Sequence, residues 1–168
     1  MKSLVKTIAY IGIGSAIVCA GTMIIQIPVP QTKGYINMGD ALVLTIAMLF
    51  GAKVGALAGG IGSALADIIL GYTHWAPFTF IIKGLEGLIA GTLAYRAQKM
   101  PLRVFFLVLA GIEMVVGYFI TEVFIYGIGP AIAELPGNCF QAGSGVLISI
   151  LLVLAIKRAV RDSKVWNI

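Results

Sequence analysis

Long apolar runs separated by short polar segments dominate the chain. A run of about 20 apolar residues is long enough to cross the hydrocarbon core of a bilayer as a helix. Pro28 and Pro30 end the first run, and Pro77 suits the first turn of a helix. The pattern therefore predicts six membrane-spanning helices, at about residues 4–26, 39–51, 54–71, 77–95, 102–126 and 138–157.

The overall composition supports a membrane location for these helices. The chain has 168 residues, of which 60% are hydrophobic and 11% are charged, and its mean hydropathy is +1.02. A soluble domain usually carries about 25% charged residues. We therefore predict an all-α, polytopic membrane protein that forms a single domain over residues 1–168, a six-helix bundle whose outer surface is covered by lipid.

Basic residues collect on one side of the predicted bundle. With six spans both termini share that side, where ten of the twelve Lys and Arg residues fall: Lys2, Lys6, Lys53, Arg96, Lys99, Arg103, Lys157, Arg158, Arg161 and Lys164. The positive-inside rule then predicts cytoplasmic termini, and the loops 27–38, 72–76 and 127–137 are expected outside the cell. This topology accounts for the net charge of +5 without a nucleic-acid partner.

The sequence lacks the common motifs of nucleotide-hydrolysing enzymes, serine hydrolases and metal sites. No G-x-x-x-x-G-K-[ST], G-x-S-x-G or H-E-x-x-H pattern occurs. Cys19 and Cys139 have no metal-binding spacing, and the chain contains a single His, whereas His-built metal sites need several. The sequence therefore predicts neither enzymatic activity nor a bound metal or cofactor.

Two charges interrupt the fourth apolar run. Lys83 and Glu86, in "FIIKGLEGLIAG", are three residues apart, so they share a helix face and can pair. A charge near the centre of a bilayer costs at least about 2.5–3.5 kcal/mol on insertion scales, and pairing recovers part of that cost. Such residues indicate a functional site, and a purely structural ion pair is the alternative.

Polar and aromatic side chains of the other predicted helices and loops lie at a similar depth, toward the outside. A pocket of this composition suits a small, flat, polar organic molecule. The alternatives are an interfacial aromatic belt for Trp75, a helix cap or interhelical bond for Asp67, and a structural hydrogen bond for Glu113. The candidate substrate-binding residues are Asn37, Asp40, His74, Trp75, Thr79, Lys83, Glu86, Tyr118, Glu122, Asn138 and Gln141.

Small residues recur at helical spacing in two of the predicted helices. Such rows let helix backbones approach closely in lipid. In the third helix we expect them to pack inside the bundle. In the first helix they either pack inside the bundle or contact a partner protein. The rows are Gly55, Gly59, Ser63 and Ala56, Gly60, Ala64 in the third helix, and Gly12, Ala16, Ala20 in the first.

Three segments resemble the substrate-binding S components of energy-coupling factor (ECF) vitamin transporters. They are "INMGDALVLTIAMLFGAKVGALAGGIGSALADIILGY" (36–72), "WAPFTFIIKGLEGLIAG" (75–91) and "LPGNCFQAGSGVLI" (135–148). The resemblance covers nearly the whole chain, including its size and six-helix layout. It implies a pocket built from the fourth to sixth helices and the loops after the first and third. The implied role is high-affinity capture of a vitamin or precursor from outside.

The resemblance also implies partners and a substrate class. The partners are a transmembrane coupling subunit and two ATPase subunits in a bacterial plasma membrane. Docking would use the first helix, where Gly12 replaces the usual first alanine. The pocket looks most similar to those for pyridoxine-type vitamers or hydroxymethylpyrimidine, with riboflavin open. Alternatives are a self-contained secondary transporter, with Glu86, Glu122 or Lys83 as a proton relay, and an integral membrane enzyme.

Overall fold

Six helices and one β-hairpin make up the described part of the chain. The computed structural model describes residues 2–162, and the side chains of residues 4–160. The predicted basic tail beyond residue 162 lies outside this part. The elements in chain order are α1 (Lys2–Ile24), β1 (Gln26–Val29), β2 (Gly34–Asn37), α2 (Gly39–Phe50), α3 (Ala52–Leu70), α4 (Ala76–Ile89), a π-helical continuation of α4 (Ala90–Ala94), α5 (Met100–Tyr126) and α6 (Ile128–Asp162).

The six predicted helices all form, but they differ in length. Five of those in the described part are long and apolar enough to cross a membrane: α1, α3, α4 with its continuation, α5 and α6. By contrast, α2 has 12 residues and is therefore about 18 Å long, short of the ~30 Å hydrocarbon core. Most of its residues are buried, because it packs between α1, α3 and α6.

The segment after α1, predicted to be a loop, is an antiparallel hairpin. β1 pairs with β2 in a register that joins Gln26 to Asn37 and Val29 to Gly34. Lys33, with φ 49°, lies in the turn between the strands. Pro28 weakens any strand pattern in the sequence, since proline cannot donate to a ladder and is confined to edges. The prediction of a purely α-helical fold therefore needs this hairpin added.

The predicted loop at 127–137 is wrong: these residues form the start of α6, ten residues before the expected position. Gly127, with φ 87°, separates α5 from α6 in a conformation that favours glycine. Pro130 falls in the first turn, where its missing N–H has no intrahelical partner in any case. Pro136 lies inside α6, and the helix continues past it. Glu134 therefore lies on the same helix as Asn138.

Helix α3 lies between α1 and α4, and its glycines permit this close packing. A Cβ on Gly59 would lie 2.7 Å from the backbone oxygen of Lys83 on α4. A Cβ on Gly62 would lie 2.6 Å from the backbone oxygen of Ser15 on α1. Real Cβ atoms do not approach so closely, so both contacts depend on glycine. The small residues of α3 therefore pack inside the bundle, as expected.

The end of the bundle away from the hairpin is filled by an apolar core. Its buried members come from α2, α4 with its continuation, α5 and α6: Leu44, Ala47, Met48, Ala90, Ala94, Leu107, Ala110, Val146 and Val153. The buried charged and amide side chains lie instead toward the hairpin end. This division places the polar site beneath the hairpin.

Candidate functional site

A narrow polar cavity lies between the hairpin and helices α3 to α6. Its volume of about 30 Å³ is room for about two water molecules. The lining side chains are mostly buried and mostly polar or aromatic. They are Thr22, Gly34, Tyr35, Asn37, Ser63, Asp67, Trp75, Thr79, Lys83, Tyr118, Glu122, Glu134, Asn138 and Gln141.

An ion triad of Asp40, Lys83 and Glu86 lies at the inner end of the cavity. The Lys83 ammonium donates to Asp40 Oδ1 and to Glu86 Oε2, the latter at 3.1 Å. All three side chains are at most 2% exposed. Gln141 Nε2 also donates to Asp40 Oδ1, at 3.1 Å. Both carboxylates therefore share one ammonium, and Asp40 Oδ2 and Glu86 Oε1 are buried without a hydrogen-bond partner among the described residues.

A carboxylate pair of Glu122 and Glu134 borders the cavity where α5 meets α6. The two side chains are 1% and 5% exposed and close enough to interact with each other. Asn138 Nδ2 donates to Glu122 Oε1 at 3.1 Å. Glu134, Asn138 and Gln141 follow one another at i, i+4 and i+7, so α6 presents them on one face.

Three hydrogen bonds tie the hairpin to the helices around the cavity. The Tyr35 hydroxyl donates to Asp67 Oδ1 at 2.6 Å, and the Asn37 N–H donates to Gln141 Oε1 at 2.7 Å. Trp75 Nε1 donates to the backbone oxygen of Thr32 at 3.3 Å. Burial and then the Asp67 carboxyl raise the pKa of Tyr35 well above its usual range, so this hydroxyl remains a donor.

Aromatic rings form one side of the cavity. Trp75 is 4% exposed, and its ring centroid lies 5.9 Å from that of Tyr118 in an edge-to-face arrangement. The Tyr118 hydroxyl donates to Thr79 Oγ1 at 3.2 Å, and the ring lies 5.6 Å from the Lys83 ammonium. The cavity thus offers both stacking surface and hydrogen-bonding groups.

The structure brings eight of the eleven candidate residues to the cavity lining: Asn37, Trp75, Thr79, Lys83, Tyr118, Glu122, Asn138 and Gln141. Asp40 and Glu86 lie behind Lys83 and hold its ammonium. His74 is exposed and its Nε2 lies 2.9 Å from the Tyr126 hydroxyl, at the outer rim. Its ring contacts that of Trp75, with the centroids 5.9 Å apart, but does not itself line the cavity.

Six lining residues were not candidates from the sequence: Thr22, Gly34, Tyr35, Ser63, Asp67 and Glu134. Glu134 lay in the predicted loop, so its helical spacing to Asn138 was hidden. Continuing α6 through Pro136 would have revealed it. Asp67 was interpreted as structural, and it does bond to Tyr35. That contact joins residues 32 positions apart, and no local pattern indicates it.

Glu113 and the two cysteines lie outside the cavity lining. Glu113 on α5 is half-buried, and its Oε2 has no hydrogen-bond partner among the described residues. Within residues 2–162, no three His, Cys, Asp or Glu side chains are arranged to hold a metal ion. Cys19 is buried and Cys139 is exposed, both as free thiols.

Comparison with known families bears on this architecture directly. The family model described as "ECF-type riboflavin transporter, S component" matches residues 2–158. The chain belongs to this family. The resemblance found in the sequence is thereby confirmed, and the protein is an S component, the class of subunit that binds substrate in ECF transporters. It is a multi-pass membrane protein.

Relatives and solved structures of the S component support the same assignment. The thiamine precursor transporter HmpT of Lactococcus lactis subsp. cremoris is 30% identical over 155 residues, 92% of this chain and 89% of that one. An uncharacterized Pyrococcus woesei protein from a gap 3' region is 43% identical over 139 residues, 83% of this chain and 93% of that one. A solved bacterial ECF S component matches with TM-score 0.70 and 21% identity, and the match covers 95% of this chain and 98% of the solved chain.

The S component presents an open face on α1. Gly12, Ala16 and Ala20 are exposed, and a Cβ on Gly12 would meet no atom within 4 Å among the described residues. Gly14 faces the other way, since its Cβ would lie 2.9 Å from that of Ala58 on α3. The row therefore does not pack inside the bundle, which leaves contact with a partner or with lipid.

Proposed function

We propose that this S component captures a small B-vitamin or vitamin precursor from outside the cell for import by an ATP-driven ECF complex. A pyridoxine-type vitamer or hydroxymethylpyrimidine is the favoured substrate, and riboflavin is the third candidate. The observation that carries the proposal is the cavity beneath the hairpin, which combines Trp75 and Tyr118 with buried acid, amide and ammonium groups. Ring stacking and convergent polar groups are the usual means of binding such a solute.

Substrate entry on this proposal requires the hairpin to move. A heterocycle is much larger than the cavity volume of about 30 Å³. Opening would break the bonds of Tyr35 to Asp67 and of Trp75 to Thr32. Closure over the ligand would restore them, so capture and retention are coupled to the same contacts.

The partners on this proposal are a transmembrane coupling subunit and two ATPase subunits. The open face of α1, formed by Gly12, Ala16 and Ala20, is the proposed docking surface, because small residues allow a partner helix to approach closely. The termini and the basic loops lie on the cytoplasmic side of the plasma membrane in this arrangement.

Purified protein tests the binding step. The full chain in detergent, without ATP, should bind one of the three candidates in calorimetry, and mass spectrometry of the denatured preparation should identify the molecule that co-purifies. Failure of riboflavin, pyridoxine-type vitamers and hydroxymethylpyrimidine to bind would reject the substrate class.

Reconstitution separates an importer subunit from a self-contained secondary transporter. Proteoliposomes that hold this chain alone should bind the ligand without accumulating it. Proteoliposomes that also hold the coupling and ATPase subunits should accumulate it on addition of ATP. Uptake by the chain alone, driven by a pH gradient, would instead support a proton-coupled carrier.

A further inference from the structure

The carboxylate pair, Glu122 and Glu134, has more acceptor oxygens than the protein supplies donors for. Asn138 satisfies Glu122 Oε1. The other oxygen of Glu122 and Oε2 of Glu134 are buried without a hydrogen-bond partner in the described part of the chain. Both side chains line the cavity. Buried polar atoms in folded proteins nearly always have a partner, so these two oxygens require an explanation.

No basic side chain in the described part of the chain compensates this pair. Among the described residues, Lys83 is the basic group that lines the cavity. Its ammonium is already bonded to both carboxylates of the ion triad, Asp40 and Glu86. An isolated buried carboxylate is very costly without a donor or counter-ion. A proton shared by the two carboxyls supplies one donor, and a donor group on what enters the cavity would supply the rest.

Other lining groups reinforce the excess of acceptors. Asp67 Oδ2 is also buried without a partner among the described residues, although Oδ1 of the same carboxyl accepts from Tyr35. The hydroxyls of Thr22 and Ser63 line the cavity with unpaired oxygens, and these can either donate or accept. The cavity is thus suited to a ligand that donates hydrogen bonds and carries positive charge.

We propose that Glu122 and Glu134 select a substrate with an amino group on its ring system, and that they exclude anionic vitamers. This inference rests on the proposed vitamin-binding function and narrows its substrate class. The donor group occupies the carboxylate pair, where charge-assisted N–H···O bonds are strong. The ring lies against Trp75 and Tyr118, which also favour a cationic ring.

Matched ligands test the proposal in the intact protein. Pyridoxamine, pyridoxine and 4-pyridoxic acid share one ring and differ in carrying an ammonium, a hydroxyl or a carboxylate. A second pair is 4-amino-5-hydroxymethyl-2-methylpyrimidine and its 4-hydroxy analogue. Affinities would be measured by calorimetry on the full chain in nanodiscs at pH 7. We expect the amino compound of at least one set to bind at least tenfold tighter than its hydroxyl or carboxylate counterpart.

Acid-to-amide variants show whether the carboxylate pair causes that discrimination. Glu122→Gln and Glu134→Gln keep the side-chain size and should each reduce discrimination within the set to less than threefold. Glu113→Gln on α5 is the matched control, because Glu113 is outside the cavity lining, and it should leave the affinities unchanged. Size-exclusion chromatography verifies that each variant is folded, and the second glutamate provides the test if one variant fails.

The outcomes separate this inference from the function on which it rests. If ligands bind but the amino compound of neither set is tenfold tighter than its counterpart, or if both glutamine variants retain full discrimination, charge selection by the pair is wrong while vitamin binding stands. If riboflavin binds and the amino compounds do not, the same conclusion follows. If no ligand of either set and no riboflavin binds, the proposed function fails and this inference fails with it.

Discussion

The ion triad and the carboxylate pair border the same cavity, but they differ in how their charges are satisfied. In the triad, Lys83 holds both Asp40 and Glu86 at exposures of at most 2%. In the pair, Glu122 and Glu134 are about as deeply buried but have no cation among the described residues. Burial depth alone therefore does not distinguish acids that have a cationic partner from acids that have none among the described residues.

The comparison of the ion triad with the carboxylate pair shows which observation helps to assign roles to charges within a membrane bundle. An intramembrane ionisable residue indicates function by default, and that rule selects both groups equally. Both groups contain buried oxygens without a hydrogen-bond partner among the described residues. What distinguishes them is the cation, since Asp40 and Glu86 share the Lys83 ammonium and the pair has no basic partner in the described part of the chain. On this basis we expect the triad to hold Lys83 in place, and we propose the pair as a contact for substrate.

Removal of the triad cation should have the largest effect on stability. Lys83→Met leaves two buried carboxylates without a counter-ion, and breaking a buried pair in this way costs about 3–5 kcal/mol. Thermal unfolding in detergent should show a large fall in the midpoint. Adding Asp40→Asn to Lys83→Met should recover part of the loss, because it removes one stranded charge. An unchanged midpoint in Lys83→Met would show that the ammonium does not stabilise the two acids.

Asp67 resembles Glu122, because one of its oxygens is bonded and the other has no partner among the described residues. Tyr35→Phe removes the bonded partner and one contact that holds the hairpin closed. A hydrogen bond to a charged group contributes about 1.5–3 kcal/mol, so ligand dissociation in stopped-flow experiments should accelerate by roughly tenfold or more. Tyr72→Phe is the control, since its ring lies 4.6 Å from that of Tyr35. Equal rates in both variants would exclude a role for the hydroxyl.

Substitution within the carboxylate pair should alter stability very little. Glu122→Gln keeps the oxygen that accepts from Asn138 and removes a charge that has no counter-ion in the described structure. We expect the free energy of unfolding without ligand to change by less than about 1 kcal/mol, in contrast to Lys83→Met. A loss as large as that of Lys83→Met would place Glu122 with the structural charges.

A change outside both groups should leave stability and ligand affinity unaltered. Ala16→Leu adds bulk to the open face of α1, where Ala16 is exposed. ATP-driven uptake by the reconstituted complex should be lost, while binding to the isolated chain is retained. Gly14→Leu is the contrasting variant on the packed face, where even a Cβ would lie 2.9 Å from Ala58, and it should unfold at lower temperature. Full uptake with Ala16→Leu would show that this face does not dock the partner.

The sequence predicted the parts of the site that depend on local spacing. Lys83 and Glu86 are three residues apart on one helix, so their pairing followed from helical geometry. The amides Asn138 and Gln141 were likewise identified on one face of α6. The hairpin was missed because Pro28 interrupts any strand pattern. Glu134 was missed because two prolines and polar residues in 127–137 are typical of a loop, although one proline falls in the first turn of α6.

Hydropathy and charge along the chain by themselves determined that this is a helical membrane bundle, and the quoted segments determined its family. These are local properties, since every apolar run satisfies its backbone hydrogen bonds within its own helix. The tertiary structure alone decided which buried acids lie beside a cation. Asp40 bonds to Lys83, which is 43 positions away in the sequence. Glu122 and Glu134 instead lie beside each other, with no cation among the described residues. Helix packing determines which of these side chains come into contact.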